Sequence, residues 1–127
     1  MANYIRVSAG YGEWLKLDKC DGCGSGWNAK LVPDTIFGMS ITDCCCPHDY
    51  DYFIGMTIED KQAADRRLKN NIYRKISHDT KWWRNNRFIK SLMRHRARVY
   101  YEAVKEFGAE AFWHDKKNGE EVIIIKG

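Results

Sequence analysis

The stretch CCCPHDYDY, Cys44 to Tyr52, decides how this chain is read: it sets a histidine beside an aspartate directly after three cysteines and a proline. On a helix, His48 and Tyr52 stand four apart and share a face, while Asp49 points about 100° away. The pair is therefore not placed to grip one ion side by side, and each residue has its own task. An imidazole takes a proton from water near neutral pH, and a carboxylate is a hard ligand suited to calcium. A second acid, on another helix, would hold the imidazole in the right tautomer.

The surroundings of the pair read as helical. The segment TIFGMSITDCCCPHDYDYF carries apolar or half-buried side chains through to Phe53, and Gly55 is placed to end a helix. Pro47 sets a condition, since a proline inside a helix kinks it, whereas one at the first position fits. The helix is kinked there or starts there. Upstream, CDGCGSGW at 20–27 places Gly22, Gly24 and Gly26 at every second position. Their freedom lets the carbonyls of a curled loop turn to one side, and calcium needs several oxygens beyond one carboxylate. The first nineteen residues have no long periodic pattern and read as irregular or weakly extended.

Downstream, Thr57 is a good N-cap with Asp60 three residues on, where a capping-box acid belongs. The helix that follows buries Ala64, Leu68, Ile72 and Ile76 as one stripe, with Asp65 beside it. A third helix is predicted from about Thr80 to Phe107, a stretch without Pro or Gly. There Ile89, Leu92, Met93, Val99, Tyr100, Ala103, Val104 and Phe107 recur at helical spacing. Gly108 can end it. Asn118-Gly119 marks a turn before the short β-branched run Val122 to Ile125. The chain reads as mainly α.

Its 127 residues suit a single domain. A hydrophobic share of 44% with 30% charged residues is that of a folded protein rather than a disordered one. No apolar run reaches membrane-span length, and the N-terminus lacks a secretory signal. The sequence thus predicts a soluble product made in the cytoplasm, which would leave, if it leaves, by a route that needs no signal. The net charge of +4 hides an asymmetry: residues 81–98, KWWRNNRFIKSLMRHRAR, hold seven Lys or Arg and no Asp or Glu. Such a face meets an anionic lipid surface or a nucleic-acid backbone, or is a solvated helix side. Trp82, Trp83 and Phe88 within it are more often core residues than lipid anchors, yet aromatics also sit well at headgroup depth.

Together these residues resemble the phospholipase A2 superfamily, in which a Gly-rich calcium loop precedes a helix bearing C-C-x-x-H-D-x-C-Y. Cys44, Cys45, His48, Asp49 and Tyr52 fall on that pattern, and AAD at 63–65 looks like the helical Asp motif of compact members. The similarity covers roughly 20–72 and is closest to a minimal microbial or phage-type member. It implies two antiparallel catalytic helices, a calcium loop and a long additional C-terminal helix within one domain spanning 1–127. The implied activity is calcium-dependent hydrolysis of the sn-2 ester of glycerophospholipids. In that role set, His48 is the base, Asp65 orients it, and Tyr52 hydrogen-bonds Asp65. Asp49 binds calcium with Gly22, Gly24 and Gly26. The implied partner is a phospholipid surface met peripherally through 81–98, with no nucleic acid expected. Asp51 stands where secreted members carry a cysteine, so their disulfide framework is expected to be absent or much reduced. The gap between the glycine loop and His48 is longer than usual.

Other readings stand beside this one. Asp60 is the runner-up partner for His48, set second because the first turn already uses it as a cap. A zinc module would take Cys20, Cys23 and two of Cys44, Cys45, Cys46 or His48, with the basic helix on nucleic acid. The five cysteines also allow a single bridge from Cys20 or Cys23 to the triplet. An HD-type metal phosphohydrolase needs a histidine upstream of the pair, and none precedes His48. His78, His95 and His114 are given no chemistry.

Overall fold

The computed structural model describes residues 4–17, 20 and 33–113. Gly22, Gly24 and Gly26, with Cys23, His114 and the Asn118-Gly119 turn and β-branched run, lie outside them. Along the described residues the order is α1 (Tyr11–Leu15), β1 (Thr35–Ile36), β2 (Met39–Ser40), α2 (Thr42–Ile54), α3 (Ile58–His78), α4 (Arg87–Phe107) and α5 (Ala109–Trp113). The architecture is mainly helical.

Helix α3 starts where its sequence says. Thr57 accepts from the Asp60 amide while the Asp60 carboxylate accepts from the Thr57 amide, closing a capping box. Ala64, Leu68, Ile72 and Ile76 are all buried, as the stripe predicts. Leu68, Ile72 and Ile76 meet Met93, Ala97, Tyr100 and Val104 of α4, and Ile36, Met39, Ile41, Cys44 and Cys45 around the start of α2, whereas Ala64 packs with Tyr52 and Phe112. Truncating a fully enclosed residue such as Ile72 to alanine would cost about 2–5 kcal/mol.

Helix α3 lies between two antiparallel neighbours. Against α2, Lys75 pairs with Asp43 at one end and Asp65 meets Tyr52 toward the other. Against α4, Lys90 reaches the Ser77 carbonyl while Lys61 reaches those of Val104 and Lys105. The central helix therefore presents one face to α2 and another to α4.

Three expectations need correcting, and the alternative left open at Pro47 is decided. The lead is not wholly irregular, because Tyr11–Leu15 forms a helical turn that buries Tyr11 and Trp14 against Cys46 and Tyr50. Five residues are too few for periodicity to register; the stabilisation is tertiary. Ahead of α2, Thr35–Ser40 forms a tight antiparallel hairpin, with Phe37 and Gly38 at φ 51° and 83°. Positive φ at both turn positions matches the right-handed twist of the strands. Pro47 falls within α2 rather than at its start. Finally, α4 begins at Arg87 and not near Thr80, since Asn86 caps it by accepting from Ile89. The preceding turn is tied by Arg84, which donates to both Asp79 oxygens and to the Phe37 carbonyl.

The cysteines also depart from expectation. Cys20 and Cys46 form a disulfide, Cys45 is disulfide-bonded as well, and Cys44 is a buried thiol. The Cys20–Cys46 pairing is one of the bridges to the triplet that the sequence left open, and Cys45 adds a further cross-link.

Candidate active site

Helix α2 carries His48 and Tyr52 one turn apart, and their rings sit 4.2 Å between centroids. Across the α2–α3 interface, Asp65 Oδ1 lies 2.8 Å from His48 Nε2 and accepts from the Tyr52 hydroxyl at 2.6 Å. All three side chains are buried, Asp65 to 2% exposure. The structure thus brings together the three residues read as catalytic. Asp60 stays at the exposed helix start, bonded to the Met56 and Thr57 amides.

The geometry sets the protonation pattern. Burial alone would raise the Asp65 pKa, but hydrogen bonds and charge from His48, with further bonds from Lys61 and Tyr52, hold it below the ordinary value. An ionised carboxylate only accepts, so His48 donates to it through Nε2, which leaves Nδ1 on the other side of the ring. Tyr52 is a lasting donor, since burial first, and the Asp65 charge second, push its pKa far above the usual phenol range.

Sequence reasoning missed Lys61. Its ammonium lies 2.9 Å from Asp65 Oδ2 and also donates to the Val104 and Lys105 carbonyls at 3.2 and 3.3 Å. Three donors meet three acceptors, which is what lets a lysine sit at 3% exposure. The two carbonyls belong to the end of α4, where the helix dipole favours a cation. The i,i+4 spacing of Lys61 and Asp65 was visible in the sequence; the burial was not. Gly108 completes this wall, because a Cβ there would come within 2.6 Å of the Tyr52 hydroxyl.

Asp49 is half-buried on the neighbouring side of α2, and its Oδ2 lies 3.9 Å from Cys20 Sγ. The Cys20–Cys46 bridge therefore seats the beginning of the glycine-bearing segment beside the carboxylate. A hard carboxylate at that place fits calcium in donor type. Among the described residues no three His, Cys, Asp or Glu side chains form a metal-holding group, so Asp49 is the one candidate ligand that can be placed.

On the outside of α4, Phe88, Leu92 and Val99 recur on the face opposite the buried Met93, Ala97, Tyr100 and Val104. Three of the eight apolar positions read as periodic there, Leu92, Val99 and Phe107, are exposed. Trp82 is 83% and Phe88 71% exposed, which overturns the core reading for both. His95 is exposed, and His78 stacks on Tyr4. No helix among the described residues is long and apolar enough to cross a membrane. No family model, curated protein or solved structure matches the chain.

Proposed function

We propose that the protein is a calcium-dependent phospholipase A2 that hydrolyses the sn-2 ester of glycerophospholipids with a His48–Asp65 dyad. The observation that carries this reading is the buried His48, Asp65 and Tyr52 cluster, with Asp49 on the adjoining turn beside the start of the glycine-bearing segment.

In this reading His48 Nδ1 removes a proton from water as the oxygen attacks the ester carbonyl. The positive imidazolium that forms is stabilised by Asp65 through Nε2. Tyr52 and Lys61 keep the Asp65 carboxylate from turning away. The proton on Nδ1 then passes to the leaving lysophospholipid oxygen, which returns His48 to its starting tautomer and closes the balance. Calcium would be held by Asp49, with carbonyls of Gly22, Gly24 and Gly26 as the resemblance implies, and would supply positive charge for the ester and phosphate oxygens.

The exposed aromatic and aliphatic side chains of 82–99, set among arginines, suit a peripheral encounter with an anionic phospholipid surface. The zinc-module alternative needs Cys20, Cys23 and two of Cys44, Cys45, Cys46 or His48 as ligands, with the cysteines as thiolates, whereas Cys20, Cys45 and Cys46 are disulfide-bonded.

The test is release of sn-2 fatty acid from mixed phospholipid vesicles, with calcium and with chelator, for wild type and His48→Ala. Calcium-dependent release abolished in the variant is expected. Release that persists in His48→Ala, or none from the wild type in calcium, rejects the proposal.

A further inference from the structure

We propose that a groove on the outer face of α3 is a second binding site, specific for phosphate-bearing anions and separate from the His48 centre. The groove measures about 480 Å³ and is lined by Arg6, Arg66, Arg67, Asn70 and Arg74. Arg74 follows Asp65 by two and a half helical turns, so the groove opens on the side of α3 turned away from the dyad. A ligand here is not the ester being hydrolysed at His48.

The four guanidiniums are gathered by structure. Asn71 is fully buried and fastens the N-terminal segment to α3 through both amide groups: it accepts from the Arg6 amide at 2.8 Å and donates to the Arg6 carbonyl at 2.9 Å. That pair of bonds sets the backbone of Arg6 beside α3. The same Asn71 oxygen accepts from Arg74 at 2.9 Å, which orients a second guanidinium. Arg67 is held from below by Asp51 at 3.1 and 3.2 Å and by Ser8. Asp51 thus serves as the carboxylate that holds Arg67 in place.

The charge is not balanced within the groove. No carboxylate among the described residues lines it. Asp51 answers Arg67 from behind, while the Arg6 and Arg66 side chains make no hydrogen bond or ion pair among the described residues. Gathering like charges with so little compensation costs stability, and an anion in the groove would relieve that cost. Guanidinium forks match phosphate oxygens in pairs, and the volume exceeds what one phosphate fills. The chemistry recognised is therefore a phosphate group carried on a larger anion or a diphosphate.

The test uses the full chain and the variant Arg6→Gln/Arg66→Gln, which alters two exposed side chains and should not lower the melting temperature. Calorimetric titration with inorganic pyrophosphate should give saturable binding to the wild type, at least about tenfold weaker in the variant. Sedimentation with phosphatidylcholine vesicles, with and without phosphatidic acid, distinguishes the source. Loss of phosphatidic-acid-dependent binding in the variant assigns the groove to a lipid headgroup. Equal vesicle binding with lost pyrophosphate binding assigns it to a free anion. The proposal is overturned if neither pyrophosphate nor phosphatidic-acid vesicles give binding that depends on Arg6 and Arg66.

Discussion

Lys61 and Asp65, one turn apart on α3, form a buried ion pair at 2.9 Å, and it ties the candidate dyad to the last turn of α4. Breaking a buried pair from one side leaves an uncompensated charge. Lys61→Met should therefore destabilise the protein by about 3 kcal/mol, although His48 and Tyr52 still bond Asp65. Urea denaturation measures this, and a loss under about 1 kcal/mol would reduce Lys61 to a surface-type contact.

The two acids of α3 should separate cleanly. Asp65→Asn removes the negative charge that stabilises the imidazolium and can turn an amide donor toward His48, and turnover should fall by at least about a hundredfold. Asp60→Asn touches only the helix start and should leave turnover near wild type. Equal, mild effects in sn-2 ester hydrolysis would sink the assignment of Asp65.

Acid should act through Asp65 in a defined direction. Its folded-state pKa is lowered from 3.8, so its contribution to stability is complete above that value and is lost as pH falls through the folded one. The urea midpoint should include a loss from this group below about pH 4. Lys61→Met/Asp65→Asn removes both charges and should flatten that part of the slope. An identical slope in the double variant would mean other carboxylates dominate.

Opening the Cys20–Cys46 bridge should affect metal affinity more than the dyad. The cross-link closes a loop with a sequence separation of 26 and seats Cys20 against Asp49. Cys20→Ser should cost about 3 kcal/mol of stability and raise the calcium concentration needed for half-maximal activity. An unchanged calcium dependence would separate the bridge from the metal site.

The outer face of 82–99 should decide partition to lipid. Trp82→Ser/Phe88→Ser alters two exposed side chains, so the melting temperature should hold while binding to anionic vesicles falls by roughly tenfold or more. Unchanged binding would remove this face from the proposed interface.

Much of the fold could be read from local chemistry. The capping box at Thr57 and Asp60 and the four-residue stripe of α3 involve neighbours along the chain, so spacing alone reveals them. The start of α4 was misplaced because the Asp79–Arg84 tie and the Asn86 cap interrupt a stretch free of Pro and Gly. Its outward Phe88, Leu92 and Val99 share the helical period of the buried residues, and periodicity does not say which apolar stripe faces the core. The turn of α1 escaped notice because aromatic packing on Tyr50, more than local propensity, holds it.

At the candidate site, the sequence by itself determined that His48 and Tyr52 share a face and that Asp49 does not, since 3.6 residues per turn leave no other arrangement on a helix. Only the tertiary structure decided that Asp65, 17 residues away, reaches His48. The same holds for Lys61, which can be buried because Asp65 and the end of α4 together accept its three hydrogen bonds. The arginine groove likewise exists only once Asn71 clasps the Arg6 backbone. Contacts of that kind depend on the docking of separate segments, whose relative placement no local spacing contains.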